Sequence, residues 1–122
     1  MSKTYRAVML TRKGSSKAMD VLEVVELPTS DPGHGQVRVR VQAAGVGATD
    51  LMALTGNYRY GPKLPFVPGY EIAGVVDALG SGVADFRVGQ RVAALTVHGG
   101  FGQMIVRDAA DFLPIPDASI PS

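Results

Sequence analysis

Four side chains in one stretch of this 122-residue chain have the chemistry to move protons: Tyr58, Tyr60, Tyr70 and Glu71. A phenol hydroxyl can donate a proton or bind a developing oxyanion, and a carboxylate can act as a general base. Tyr58 and Tyr60 are therefore the main candidates for a proton or oxyanion donor. The competing interpretation is that these two tyrosines anchor an irregular loop by packing.

The two carboxylates in this region each have a structural interpretation as well. Glu71 follows a Pro-Gly turn and begins an apolar strand, so we expect it to be partly buried. A buried carboxylate requires a partner, and Arg91 or Arg59 would supply the positive charge. We therefore favour a structural role for Glu71 over a general base. Asp50 lies in the first turn of a predicted short helix, residues 49–54, where a negative charge stabilises the helix dipole.

The chain has no cysteine and two histidines, His34 and His98, which lie in separate predicted turns. Disulfides, thiolate nucleophiles and cysteine-based zinc sites are thereby excluded. Zinc needs three or four donors at about 2.0–2.3 Å, and two isolated histidines do not supply them. We interpret both histidines as solvated loop residues and expect no metal. A Gly-x-Ser-x-Gly nucleophile elbow is also absent.

Two glycine-rich segments resemble parts of a dinucleotide-binding loop but do not complete one. The fingerprint G-x-G-x-x-G must lie between a strand and a helix. The segment at residues 80–82, Gly-Ser-Gly, lacks the third glycine and the helix, and the one at residues 33–35, Gly-His-Gly, leads straight into a strand. Both are predicted to be turns, and we expect no self-contained nicotinamide site.

Alternation of apolar and polar residues is the dominant pattern, most clearly at residues 36–42, where the valines should face one way and the polar residues the other. Residues 56–70 hold three prolines and three tyrosines and predict an ordered loop, whereas residues 113–122 resemble an exit linker. Many short strands with one or two short helices predict an all-β, closed or partly open barrel. The predicted strands are residues 5–10, 22–27, 36–42, 72–79, 91–97 and 101–107.

Composition limits the partners and the compartment. Hydrophobic residues make up 46% and charged residues 19%, and the formal net charge is +1 with the basic residues scattered. A nucleic-acid-binding protein needs a clustered basic face, so we expect no nucleic-acid partner. The N-terminus lacks a signal-peptide core, and no run approaches the roughly 18 apolar residues of a membrane span. We expect a cytoplasmic protein with no membrane partner.

The segment from residue 68 to residue 92 carries a family resemblance. In order it reads Pro-Gly-x-Glu, Gly-Val-Val, Gly-x-Gly-Val and Val-Gly-x-Arg-Val. This order resembles the N-terminal GroES-like domain of the medium-chain dehydrogenase/reductase family. The resemblance implies a GroES-like, partly open barrel over residues 1–116. Residues 117–122 would form an exit linker toward a Rossmann nucleotide-binding domain that this sequence does not contain, and that domain is an implied partner in cis or in trans.

The resemblance also implies a chemistry. Zinc-dependent members carry cysteine and histidine where this chain has Gly47 and Tyr70, so the chain resembles the zinc-independent, quinone oxidoreductase-like branch. That branch implies NADPH as the cofactor of the intact enzyme, and hydride transfer to a quinone or an α,β-unsaturated carbonyl. Tyr58, Tyr70 and Glu71 are the implied catalytic candidates. Gly47 and Met52 are implied cofactor contacts, although quinone oxidoreductases carry an asparagine and a tyrosine there.

Two other functions stay open. The chain would also suit a stand-alone GroES-like binding or assembly module without catalysis, although residues 56–70 are richer in proline and aromatics than the mobile loop of a co-chaperonin. An oligonucleotide-binding barrel is disfavoured by the low aromatic content. If the chain is instead the substrate-binding domain of an oxidoreductase, we expect the isolated chain to be inactive. We also expect it to self-associate weakly through the face near Met52, Tyr58 and Tyr70.

Overall fold

The computed structural model describes residues 3–11, 22–47, 50 and 63–116. Several predicted features lie outside this part. They are the predicted helix apart from Asp50, the predicted linker at residues 117–122, and the residues Met52, Tyr58, Arg59 and Tyr60. Among the described residues, the elements are strands apart from a short 3-10 turn at Ala109–Asp111 and the helical residue Asp50, which confirms the all-β prediction. They are β1 (Thr4–Leu10), β2 (Leu22–Pro28), β3 (Gln36–Gly45), β4 (Glu71–Leu79), β5 (Arg91–Leu95), β6 (Met104–Asp108) and β7 (Phe112–Pro114).

Five strands form one antiparallel sheet in the order β6-β3-β4-β5-β7, and β1 pairs with β2 in a second. The segment after Gly100 joins the two sheets, because the Val8 N–H donates to the Phe101 carbonyl at 2.7 Å and the Gln103 N–H donates to the Arg6 carbonyl at 2.9 Å. On the other side, the Val41 N–H donates to the Gln103 carbonyl at 2.8 Å. The result is the expected partly open barrel.

The core lies on one face of the five-stranded sheet. The valines of β3 point into it as the alternation predicted, and Phe86 and Val83 pack against it from the turn between β4 and β5. Arg38 differs from the prediction, because it is only 3% exposed although it alternates with the valines. The burial is local, because the Arg38 guanidinium contacts Asp77 and the Ser30 carbonyl, whereas Arg40 on the same face of β3 is exposed. The buried members of the core cluster are Val37, Val39, Ile72, Val76, Val92, Ala94, Ile105 and Phe112.

The last strand, β7, was not predicted, because two prolines close to it suggested a linker. Phe112 is buried and pairs with Ala94, and Pro114 pairs with Val92 at the edge of the sheet. An edge strand tolerates proline, since one side of its backbone needs no ladder hydrogen bond. The interpretation of residues 113–122 as linker is therefore wrong for the first two of them.

Candidate functional site

The carboxylate of Asp50 connects the end of β3 to the start of β4. The side chain is 2% exposed, and its Oδ2 accepts the Gly47 N–H at 3.0 Å while its Oδ1 accepts the Gly69 N–H at 3.1 Å. The bond to Gly47, three residues earlier, has the form of the backward bond in a helix capping box, which agrees with the first-turn interpretation. The bond to Gly69 was not predicted, and it fixes the two family site positions, Gly47 and Tyr70, near one another.

The Pro-Gly turn before β4 is held equally firmly from its other side. The Thr96 hydroxyl donates to the Gly69 carbonyl at 2.6 Å, and the Thr96 N–H donates to the Tyr70 carbonyl at 2.6 Å. Gly69 adopts φ +118°, and a Cβ there would lie 2.6 Å from the Gly100 Cα, so only glycine fits. We call these residues, Gly47, Asp50, Gly69, Tyr70 and Thr96, the polar frame.

Val97 carries backbone strain at the edge of the polar frame. Its φ is +66°, a left-handed conformation that a β-branched residue rarely adopts and that costs about 1–3 kcal/mol. Its N–H donates to the Tyr70 carbonyl at 3.1 Å, next to the bond from Thr96. The paired bonds to one carbonyl hold this conformation and direct the chain into the turn that contains His98.

Glu71 is exposed, contrary to the expected partial burial. In the sheet it lies opposite Gly45 on one side and Leu95 on the other, and its side chain lies where a Cβ of residue 45 would be. Arg91 pairs with Val75, four residues further along β4, which is about 13 Å away at normal strand rise. The predicted ion pair with Arg91 is therefore wrong, and Arg59 lies outside the described residues.

Beside the polar frame, four strands place small apolar residues in one row. Ala43, Ala73, Ala93 and Leu113 are direct cross-strand neighbours on β3, β4, β5 and β7. Together with the next row, Gly45, Glu71 and Leu95, they line an open groove of about 460 Å³. Leu95 and Leu113 are 64% and 70% exposed. We call these two rows the alanine platform.

Of the predicted site residues, the structure brings Gly47, Tyr70 and Glu71 to one edge of the barrel, where the polar frame meets the alanine platform. A Cβ on Gly47 would meet no described atom within 4 Å. Among the described residues, no three His, Asp or Glu side chains are grouped as metal ligands. Sequence reasoning missed Thr96, which sits in an ordinary strand pattern and gave no local signal.

The two histidines have different environments. His34 is exposed, and its Nδ1 is 3.0 Å from the Ser81 hydroxyl. His98 is half-buried, with its ring edge-on to Phe66 at a centroid distance of 6.5 Å, so the solvated-loop interpretation is wrong for it. Burial lowers the pKa of His98, and the nearby positive charge of Arg107 lowers it further. The protonated form of His98 is therefore disfavoured relative to that of a free imidazole.

Comparison with known proteins identifies the domain. Residues 33–117 match the alcohol dehydrogenase GroES-like domain. The chain is 30% identical over 116 residues to a quinone oxidoreductase of Rattus norvegicus, covering 94% of this chain and 35% of the relative. Within the described residues, no helix has the length and hydropathy to cross a bilayer.

Solved structures show the same relationship. The human synaptic vesicle membrane protein VAT-1 homolog-like protein superposes with a TM-score of 0.87 at 32% identity, covering 94% of this chain and 36% of that one. A mycobacterial protein in complex with NADPH superposes with a TM-score of 0.78 at 32% identity, covering 93% and 34%. This chain thus spans only about a third of the length of these proteins.

Proposed function

Because this chain belongs to the medium-chain dehydrogenase/reductase family, as its GroES-like domain, we propose that it is the substrate-binding part of a nicotinamide-dependent oxidoreductase. The nucleotide-binding part would correspond to the length of the relatives that this sequence does not span. The observation that carries the proposal is the polar frame, which holds Gly47 and Tyr70 at one edge beside open space. A substrate ring and a cofactor ring could meet there.

The proposed reaction is hydride transfer from NADPH to a quinone or an α,β-unsaturated carbonyl, with no zinc. Support comes from the names of the relatives, a quinone oxidoreductase and an NADPH complex, and from glycine and tyrosine at the positions where zinc-dependent members carry ligands. Bound NADPH would supply the hydride. This chain would orient the acceptor and provide the proton or the oxyanion contact.

Tyr70 and Tyr58 are the proposed proton or oxyanion donors, and Gly47 and Met52 are proposed cofactor contacts. The polar frame supports the assignment of Tyr70, because hydrogen bonds from Thr96 and Val97 fix its backbone carbonyl. Glu71 is proposed as an acceptor group at the same edge, since its carboxylate is exposed instead of being used in an ion pair with Arg91. Gly47 supports its assignment because it has no side chain, and even an added Cβ would meet no described atom within 4 Å.

The alanine platform supports the proposal that a further part of the enzyme packs against this domain. Flat rows of small residues let another backbone approach closely, and two exposed leucines at the edges are costly to leave in water. We propose that the rest of the enzyme packs over this platform and the adjacent edge. The isolated chain would then self-associate weakly. We also propose a cytoplasmic location.

A domain exchange tests the proposed function. The matching domain of the NADPH-binding mycobacterial relative is replaced by this chain, and NADPH oxidation is followed with a quinone and with an enone. We expect turnover with at least one acceptor, reduced in a Tyr70→Phe version, and neither NADPH binding nor turnover by the isolated chain. A folded exchange protein that binds NADPH but reduces neither acceptor would reject the proposal, as would micromolar NADPH binding by the isolated chain.

A further inference from the structure

A second cavity lies away from the alanine platform, between β1, β3 and β6. Its volume is about 230 Å³, several times the roughly 30 Å³ that a water molecule takes up. Polar residues from four different parts of the fold line it: Tyr5 of β1, Ser30 after β2, Arg38 of β3 and Arg107 of β6. Because two arginines line one small cavity, the groups that neutralise each positive charge need to be identified.

Arg38 is neutralised by carboxylates. Its Nε is 2.7 Å from Asp77 Oδ1, and its Nη1 is 3.4 Å from Asp31 Oδ1 and donates to the Ser30 carbonyl at 3.1 Å. Two negative charges therefore accompany one positive charge, and the side chain is nearly fully buried. This arginine is explained as part of the structure of the barrel.

Arg107 differs, because its described partners are neutral. Its Nη2 donates to the His98 carbonyl at 2.8 Å and its Nη1 donates to the Val106 carbonyl at 3.1 Å. Among the described residues, the ion pairs all belong to Arg38, and none involves Arg107. Backbone carbonyls satisfy two of the five N–H groups of a guanidinium but do not balance its charge.

The unbalanced charge of Arg107 affects the pKa values of neighbouring side chains, and the adjacent turn fixes the position of its guanidinium. Arg107 lowers the pKa of His98 in addition to the larger effect of burial. Burial raises the pKa of Tyr5, and Arg107 opposes part of that rise. Gly99 adopts φ +94°, and a Cβ there would lie 2.8 Å from Arg107 Nη2, so the turn is shaped around the guanidinium. The cation is therefore partly buried and already oriented.

We propose that this cavity binds a small oxyanion, a phosphate or a carboxylate, through Arg107. The guanidinium would donate its remaining N–H groups to two oxygens of the ligand, which is the geometry in which arginine binds such groups most strongly. Tyr5 and Ser30 line the same cavity, and their hydroxyls would complete the contacts. This site is separate from the one assigned to the proposed reaction and does not depend on it.

The two histidines provide a probe, His98, and a control, His34, within the same chain. Inorganic phosphate, and separately acetate, is added at constant pH and constant ionic strength set with sodium chloride, while the imidazole signals are followed by NMR. We expect a saturable shift at His98 with a dissociation constant of about 1 mM, and no saturable shift at His34. The pKa of His98 should rise with binding, because the ligand offsets the charge of Arg107. The anion with the lower dissociation constant, phosphate or acetate, identifies the ligand class.

Two substitutions at Arg107 and one matched control complete the test. Arg107→Met should weaken binding by about tenfold or more, while Arg107→Lys should retain a weaker response, since it keeps the charge and loses the fork. Arg6→Met removes an exposed arginine that does not line the cavity and should change nothing. If neither anion shifts His98 more than chloride does, or if Arg107→Met binds equally well, the proposal is wrong. Should Arg107→Met not fold, the wild-type titration and Arg107→Lys decide.

Discussion

The polar frame and the alanine platform adjoin one another, yet they are stabilised in opposite ways. In the frame, a buried carboxylate and a hydroxyl satisfy the backbone groups of Gly47 and Gly69, so its geometry is complete within this domain. The platform exposes Ala43 and two leucines, Leu95 and Leu113, which contribute little to stability in isolation. This difference shows that the geometry of the polar frame is carried by the domain itself, and it supports the proposal that a partner covers the platform.

Asp50 should have the largest effect on stability. Asp50→Ala removes the acceptor of two N–H groups, one of them at the buried Gly69, and hydrogen bonds to a charged group contribute about 1.5–3 kcal/mol each. We therefore expect a loss of about 3–6 kcal/mol in the free energy of unfolding, measured with urea. Asp50→Asn should lose less, because its amide oxygen can still accept one of the two bonds. A loss below about 1 kcal/mol in Asp50→Ala would show that the frame is not self-contained.

Thr96 should have a smaller effect, because only one of its contacts is removed. Thr96→Val keeps the shape but deletes the hydroxyl that donates to the Gly69 carbonyl, while the Gly100 N–H still donates to that carbonyl at 3.1 Å. We expect a loss of about 1 kcal/mol in urea unfolding. Thr96→Ser keeps the hydroxyl and is the control. A loss in Thr96→Ser together with no loss in Thr96→Val would mean that the methyl group, not the hydroxyl, stabilises the turn.

A pH dependence at His98 should follow from the turn that continues the frame. Because the pKa of His98 is lowered in the folded state, its contribution to stability is present above pH 6.5 and is lost as the pH falls through the lowered value. His98→Gln should flatten the stability profile below pH 6.5. His34→Gln should leave the profile as it is in the wild type. Urea unfolding in phosphate-free buffer from neutral to mildly acidic pH measures this, and a profile that His98→Gln does not alter would contradict it.

The first six strands could be predicted from the sequence because each follows a local pattern, and the family resemblance supplied the candidate site positions. Alternating valines predicted β3, and the Pro-Gly-x-Glu order led through the family resemblance to Gly47 and Tyr70. The hydrogen bond from the Gly69 N–H to Asp50 could not be predicted, because it joins residues 19 positions apart and neither residue type indicates such a bond. The burial of Arg38 was missed for a similar reason, because strand periodicity does not show which distant groups contact a polar side chain.

The smallest effect on stability is expected at the platform, where the largest effect on association should occur. Leu113→Lys replaces a 70% exposed side chain, so the free energy of unfolding should change by less than about 0.5 kcal/mol. Its charge would nevertheless oppose any apolar partner, so sedimentation at high concentration should show less self-association than in the wild type. Val24→Lys on β2 is the control, because Val24 is 71% exposed but does not line the platform. If both variants associate to the same extent as the wild type, the exposed leucines do not form the contact surface. The dependence of the platform on a partner would then lose its support, while the self-contained frame would be unaffected.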